Sequence, residues 1–375
     1  VVAWLKMTLS VIYFFFKFLP MGKKIVFMSR QSDTVPLDFS LLSGEILLRD
    51  PGVKIVFLCR RTPTGVMGYV RYFFTIIRQM FHMATSRICI LDSYCIPVSL
   101  LTHKPSLFIL QLWHAIGKIK QSGHQTIDHR RAQGWFDFEN NPTVAKKMNM
   151  HANYDAIVAG AEFFNPFYME TFNATDDKLL NFGLPRIDYL INQSVESRSQ
   201  VLSAFPQFIG KTVVLYAPTF KPYDDHAPQA MITRFLGEDV VLIVAIHPKQ
   251  VLTYEIEETD NIYCPKEFSV IDLLAVSDYV VTDYSAICLE AAAISTPVLF
   301  FLPDHDLYTE ITGLNLDPHQ MMNSCCFDDV DQIYRTVMDD TYVQAELVSF
   351  RNNYLPKELG RSTQKIVDHL EKYWR

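Results

Sequence analysis

Ten short apolar runs, rich in β-branched residues and separated by longer helical or loop segments, constrain this chain more than any other feature. Five lie at Lys24–Ser29, Lys54–Leu58, Arg87–Leu91, Leu107–Leu112 and Tyr154–Ala159. The rhythm pauses at the polar stretch Asn192–Gln200 and resumes at Thr212–Tyr216, Val240–Ile246, Asn261–Cys264, Tyr279–Val281 and Pro297–Phe301. Runs that do not alternate with polar residues suit strands buried on both faces, as in a parallel sheet covered by helices. The expected class is therefore α/β, with two doubly wound Rossmann-like domains facing a cleft and ligands held at the carboxyl ends of the strands. A chain of 375 residues exceeds one ordinary core, which agrees with two domains. The polar stretch places their boundary near residues 190–200. Residues 1–20 then form an apolar helix, 21–195 one domain and 196–375 the other.

Composition narrows the class further. Hydrophobic residues make up 49% and charged ones 20%, which excludes a disordered chain. Seven scattered cysteines without CxxC or Cys/His ligand spacing fit a reducing cytoplasm and argue against structural zinc. Residues 1–91 carry 12 Lys/Arg against 4 Asp/Glu, a balance of +8, which leaves −15 for the rest of a chain whose net charge is −7. The basic end is thus the end suited to an anionic surface. Its basic residues stand among apolar aromatic runs rather than in a polar groove-binding helix, so no nucleic-acid partner is expected.

Two segments of that end point to a membrane surface. VVAWLKMTLSVIYFFFKFLP, residues 1–20, contains Lys6 and Lys17 and falls short of a spanning helix, which suits an interfacial anchor or a helix buried on its own domain. Residues 66–83 place Arg71, Thr75, Arg78, Gln79 and His82 on one narrow helical face with aromatic and aliphatic residues around the rest. Such a helix is either a core element or one dipped into lipid. No acidic residue occurs between Asp50 and Asp92, which favours the membrane.

Three segments at strand ends carry chemistry. In YVVTDYSAICLEAAA a buried run ends in Thr282 and Asp283, and Ser285 opens an alanine-rich helix whose free N–H groups suit a phosphate. Asp283 or Ser285 also suits a simple N-cap. His247, followed by Pro248 and Lys249, can donate to a diphosphate, or stand as a satisfied histidine in a turn. In QLWHAIGKIK, His114 follows a strand and can take a proton from a hydroxyl at neutral pH; a Trp113–His114 packing pair is the alternative. Lys118 and Lys120, with Gly117 permitting close backbone approach, suit an anionic acceptor polymer.

QLWHAIGKIK, GLPRIDYL at 183–190, VLYAPTF at 214–220, IHPK, VTDYSA and GRSTQKIVDHL at 360–370 occur in one order along the chain. In that order they resemble the CDP-glycerol:poly(glycerophosphate) glycerophosphotransferases that build teichoic acids, over nearly the whole length. The resemblance implies a GT-B arrangement of two Rossmann-like halves and transfer of a polyol phosphate with release of CMP. It implies His114 as the catalytic base and His247 as the group holding the donor diphosphate. Thr282, Asp283 and Ser285 match the donor loop, Thr219 the strand end beside it, and Arg361 with Ser362 a C-terminal element closing on the donor. The chain departs from the family at Ala115 and Gly117, at Ala245, and at Thr312–Gly313, where the family carries arginine-glycine. The implied partners are CDP-glycerol or CDP-ribitol, a lipid-linked polyol-phosphate acceptor and the anionic cytoplasmic face of the cell membrane, where the chain is peripheral. No cofactor and no obligatory metal are expected. A GT-B glycosyltransferase and a polymer-binding scaffold that has kept the fold are the rival readings.

Overall fold

The computed structural model describes residues 2–61, 65–127, 142–221, 223, 225–246 and 256–375. The chain divides into two compact units. One comprises Val1–Ile116, Gln121–Arg186 and Arg361–Arg375; the other comprises Gly117–Lys120 and Ile187–Gly360.

The first unit is built on strands β1 (Lys24–Ser29), β2 (Lys54–Cys59), β3 (Ile88–Leu91), β4 (Phe108–Gln111), β5 (Ala156–Val158) and β6 (Leu179–Leu180). They lie side by side in the order β2-β1-β3-β4-β5-β6, every neighbouring pair parallel. Strands β1, β3 and β4 are buried along their whole length, as their uninterrupted apolar runs require. The second unit carries β7 (Thr212–Tyr216), β8 (Val240–Val244), β9 (Ile262–Tyr263), β10 (Tyr279–Thr282), β11 (Val298–Phe301) and β12 (Cys326–Phe327). Its order is β12-β11-β10-β7-β8-β9, again parallel throughout, which is the Rossmann order. The two-residue edge strands β6 and β12 were not among the expected runs, whereas β9, equally short, was.

Each sheet has one place where successive crossovers depart in opposite directions, between β1 and β3 in the first and between β7 and β10 in the second. Neighbouring strands there end without a connection passing over them, which leaves a crevice at their carboxyl ends.

Helix α1 (Val2–Phe16) buries Leu9 and Tyr13 and leaves Trp4, Phe14 and Phe15 exposed. The Tyr13 hydroxyl and His103 Nδ1 are 2.9 Å apart, and His103 Nε2 lies 2.7 Å from the Val98 carbonyl. Since a carbonyl only accepts, Nε2 carries the proton and Nδ1 accepts from Tyr13. Helix α2 (Leu37–Arg49) buries Phe39, Leu42 and Ile46. Helix α3 (Gly65–Thr85) touches α1 through Phe16 and Phe81, whose ring centroids are 5.8 Å apart. Gln79, expected on the polar face of α3, is buried against the Cys95 thiol, while Phe73 and Phe74 are exposed beside Arg71 and Arg78. Packing of one stripe on the domain has therefore overridden the face expected from polarity alone.

Two further differences follow from packing. The polar stretch Asn192–Gln200 is a largely exposed part of a helix, Pro185–Ala204, with Ser197 buried, and the chain leaves the first unit at Arg186. The last helix, Ser362–Trp374, belongs to the first unit although the second immediately precedes it. It buries Ile366, Val367, Leu370 and Trp374, stacks Tyr373 on Phe108 with centroids 3.8 Å apart, and pairs Asp368 with Arg49 on α2 at 2.5 Å.

Asp38, in the first turn of α2, is 2% exposed. It accepts from the Arg186 backbone N–H at 2.7 Å, from Arg186 Nε at 2.8 Å, and from Nη2. A buried carboxylate that loses its partners, or a guanidinium that loses its carboxylate, costs on the order of 3 kcal/mol. Asp38→Ala is expected to lower the first urea transition by about that amount; a change below about 1 kcal/mol shows that solvent replaces the pair.

Candidate functional site

In the first unit, the crevice between β1 and β3 is floored by the residues that follow those strands. The Arg30 backbone N–H donates to Ser93 Oγ at 3.1 Å, Arg30 Nη1 donates to the Tyr94 carbonyl at 2.9 Å, and Ser93 Oγ donates to Asp92 Oδ1 at 2.8 Å. Burial pushes the Asp92 carboxyl up, against the hydrogen bonds from Ser29 and Ser93. After β4 the chain reverses at Trp113, whose φ of 61° lies in the left-handed region that costs an L-residue about 1–2 kcal/mol. The Trp113 N–H donates to Gln111 Oε1 at 3.0 Å, and its indole packs on Phe172 and on the ring of His114.

That reversal turns His114 back toward β3. His114 Nδ1 lies 3.0 Å from the Asp92 carbonyl, so Nδ1 donates, and in the neutral form of the ring the lone pair is on Nε2. The loop is clamped from outside as well. Tyr168 donates its hydroxyl to the Ala115 carbonyl at 2.9 Å, and the Ile116 carbonyl oxygen lies 1.9 Å from the place a Cβ on Gly160 would occupy. Only glycine at 160 lets the backbone after His114 approach this closely.

In the second unit, the crevice between β7 and β10 is organised by Asp283, the residue after β10. Its Oδ1 accepts from the backbone N–H groups of Thr219 at 2.9 Å and Tyr284 at 2.7 Å, and Thr282 Oγ1 donates to the Ala217 carbonyl at 2.7 Å. These bonds tie the two strand ends together. Asp283 Oδ2 faces Lys221 Nζ at 3.6 Å and has no hydrogen-bond partner among the described residues. Lys221 is 2% exposed and also meets Asp304 Oδ2 at 2.7 Å and Asp225 Oδ1 at 3.4 Å. Asp304 further accepts from Tyr223 at 2.6 Å and from Tyr284 at 3.1 Å. Burial favours a neutral Lys221, but the three carboxylates outweigh it and hold the ammonium above its ordinary value.

The site residues named from the sequence are distributed as follows. Thr219, Thr282, Asp283, Ser285 and the segment Gly117–Lys120 belong to the second unit; His114, Arg361 and Ser362 belong to the first. Gly117–Lys120 is held by Asn315, whose side chain donates to the carbonyls of Lys118 and Lys120, and by a bridge from Lys120 to Leu314. Lys118 is buried, and Lys120 donates through Nζ to Thr219 Oγ1. A residue read as serving the acceptor thus touches one read as serving the donor. Ser285 does not open the following helix, which spans Ile287–Ala293 with Ala286 at its cap; Ser285 Oγ is 3.5 Å from the Ile287 N–H. Arg361 caps the last helix and reaches Gln364 at 3.4 Å, and Ser362 is buried in its first turn. His247 and Lys249 lie outside the described residues.

Lys221, Tyr223, Asp225, Asp304, Asp92, Arg30 and Gly160 were not anticipated. Asp304 carried a signal, since an acidic residue shortly after a buried apolar run repeats the pattern of Asp283. Gly160 carried none. Chemically, the first crevice offers a proton acceptor of fixed tautomer. The second offers a strand junction braced by a buried lysine, with Lys120 as a cation at its edge.

The family model described as CDP-Glycerol:Poly(glycerophosphate) glycerophosphotransferase matches residues 11–372. The chain is 25% identical to the teichoic acid ribitol-phosphate primase of Bacillus spizizenii, over 93% of this chain and 91% of that protein. It is 26% identical to the teichoic acid glycerol-phosphate primase of Bacillus subtilis, over 79% and 76% respectively. Among solved structures, the wall teichoic acid polymerase TagF is similar in fold with a TM-score of 0.76, over 98% of this chain and 93% of that one at 14% identity.

The buried cluster makes a prediction of its own. Burial acts to raise the Asp304 carboxyl, but hydrogen bonds from Lys221 and Tyr223 outweigh it and hold the group below its ordinary 3.8. A lowered carboxylate contributes stability that is present above the unfolded value and is lost as pH falls through the folded one. Asp304→Asn should therefore melt earlier than the parent at neutral pH, by the equivalent of about 1.5–3 kcal/mol. The gap should narrow as pH falls below 3.8. A gap that stays constant down to about pH 3 removes Asp304 from the charged cluster.

Proposed function

Because the chain belongs to the CDP-glycerol:poly(glycerophosphate) glycerophosphotransferase family, we propose that it moves glycerol phosphate from CDP-glycerol onto a lipid-linked teichoic-acid-type polymer. The observation that carries this reading is His114, held at a strand-end crevice with its proton on Nδ1 and its lone pair on Nε2. Nε2 takes the proton of the polymer's terminal hydroxyl as that oxygen attacks the β-phosphorus of the donor. The new P–O bond forms while the bond to the CMP oxygen breaks in line, so CMP leaves with the electron pair. Thr219, Thr282, Asp283 and Ser285 line the donor loop, and Lys120 stands beside Thr219 to offset phosphate charge. His247, Lys249, Arg361 and Ser362 are assigned to the donor diphosphate, and Gly117 with Lys118 to the path of the acceptor. The likeness to a ribitol-phosphate primase over 93% of the chain favours CDP-ribitol as the second reading of the same chemistry.

Attachment is assigned to exposed aromatic residues of α1, of the turn that follows it and of α3. Trp4 is 72% exposed, Phe18 73% and Phe74 64%, and Lys6, Arg71 and Arg78 stand among these residues. Among the described residues no helix is long and apolar enough to cross a membrane. An aromatic side chain moved into lipid contributes about 1.5–3 kcal/mol, and each basic residue near anionic lipid about 1 kcal/mol. Together they suffice for reversible docking on the cytoplasmic leaflet.

Two measurements test this reading. With CDP-glycerol and CDP-ribitol offered separately beside a lipid-linked acceptor, His114→Ala should bind the donor and melt like the parent, yet lose about 10²–10⁴-fold in CMP release. Near-parental CMP release by a folded variant refutes the base assignment, and release of a nucleoside diphosphate instead identifies a glycosyltransferase. In flotation with vesicles of phosphatidylglycerol, the parent should float, and a variant with Trp4, Phe15, Phe18 and Phe74 changed to serine should remain in solution. Equal behaviour of the two removes these aromatic residues from membrane attachment.

A further inference from the structure

The first turn of the helix His305–Thr312 and the short helix Pro318–Met321 bring two histidines onto one carboxylate, and none of the three has a part in the transfer chemistry above. His305 Nε2 lies 3.1 Å from Asp317 Oδ2, and His319 Nδ1 lies 3.0 Å from Asp317 Oδ1. One ligand atom from each residue lies within 4.8 Å of the others. In a tetrahedral shell with bonds of about 2.0–2.1 Å to imidazole nitrogen and carboxylate oxygen, ligand atoms stand about 3.3 Å apart. Both imidazole–carboxylate spacings are already close to that value. The two imidazoles, with ring centroids 4.9 Å apart, close the third edge by side-chain rotation.

A neutral His305 can donate to only one of the two carboxylates beside it. Asp317 Oδ1 already accepts the His319 backbone N–H at 2.9 Å. On the far side of His305, Nδ1 lies 3.3 Å from Asp306 Oδ1. A neutral imidazole has one N–H, so when Nδ1 donates to Asp306 the lone pair of Nε2 points at Asp317 Oδ2, acceptor against acceptor. A cation between them resolves the conflict. A carboxylate behind a ligating histidine is also the partner that fixes its tautomer and raises its basicity in metal sites.

We propose that His305, Asp317 and His319 form a zinc site, with Asp306 orienting His305 and the remaining position open to water. Two nitrogens and one carboxylate select a zinc-like transition ion over magnesium or calcium, which take oxygen-only shells. The three residues are spread over two helix starts without ligand spacing in the sequence, so composition and motif reading do not find them. The ion pins the start of one helix to the cap of the next. His305 also stands beside Tyr284, with ring centroids 6.5 Å apart, and Tyr284 donates to Asp304. The ion therefore braces the wall that carries the Lys221 cluster without touching the reacting groups.

The test uses the full chain stripped by chelator and titrated with Zn²⁺ alone, with Co²⁺ as a spectroscopic probe. The expected result is one ion per chain and a Co²⁺ visible band of low coordination number. Binding should weaken about 100-fold or more in His319→Ala and about 10-fold in Asp306→Asn. Zinc should raise the melting temperature of the parent and not that of His319→Ala. His319 and Asp306 are exposed, so their replacement leaves the core intact, and a melting curve in chelator verifies it. Zinc bound equally by the parent and His319→Ala belongs to other ligands, the half-buried cysteines among them, and overturns the proposal. Affinity weaker than about 0.1 mM overturns it too, since mass action at ordinary zinc levels then leaves the site empty.

Discussion

A parallel strand must be left by a crossover, and where successive crossovers depart to opposite sides, two strand ends stand side by side with nothing passing over them. Both candidate crevices of this protein follow from that constraint. In the first unit it falls between β1 and β3, and the carbonyl that follows β3 becomes the anchor of His114. In the second it falls between β7 and β10, and the carboxylate that follows β10 bonds the N–H of Thr219 beyond β7. Backbone groups at a strand end need partners whatever the function. A side chain meets that obligation in each crevice, a histidine in one case and an aspartate in the other.

The second crevice shows how competing electrostatic terms are settled by distance. Asp283 and Asp304 share one lysine, yet their carboxyls shift in opposite directions. For Asp283 burial prevails, with Lys221 3.6 Å away, and the group is pushed up. For Asp304, Lys221 at 2.7 Å and Tyr223 at 2.6 Å prevail, and the group is held down. A buried charge is tolerated when it is hydrogen-bonded and becomes costly when it is merely near its partner. Lys221 is therefore committed chiefly to Asp304, and Asp283 Oδ2 has no hydrogen-bond partner among the described residues.

The strands were legible because a sheet buried on both faces leaves no polar residue to interrupt the apolar runs, and all ten runs became strands at or within a few residues of the expected ends. The positions of His114, Thr282 and Asp283 at or just beyond strand ends were legible for the same reason, since polar side chains reappear where the buried runs stop. What stayed hidden was decided by packing. A largely exposed stretch of helix has the composition of a linker, so Asn192–Gln200 suggested a boundary, while the compact first unit is left at Arg186. The last helix returns to the first unit because its Trp374 and Tyr373 find their partners there, and chain order carries no trace of that. Lys221 reads as a surface lysine until three carboxylates from separate segments surround it.

The close approach at Gly160 bears on how such a scaffold diversifies. The segment after β4, which carries His114, and the segment after β5, which carries Gly160, share a volume that holds one backbone oxygen and no side chain. They therefore cannot be exchanged independently. A loop transplanted after β4 from a protein with a different path there would need the residue after β5 to come with it. Conversely, a hybrid that takes both segments together keeps this contact intact.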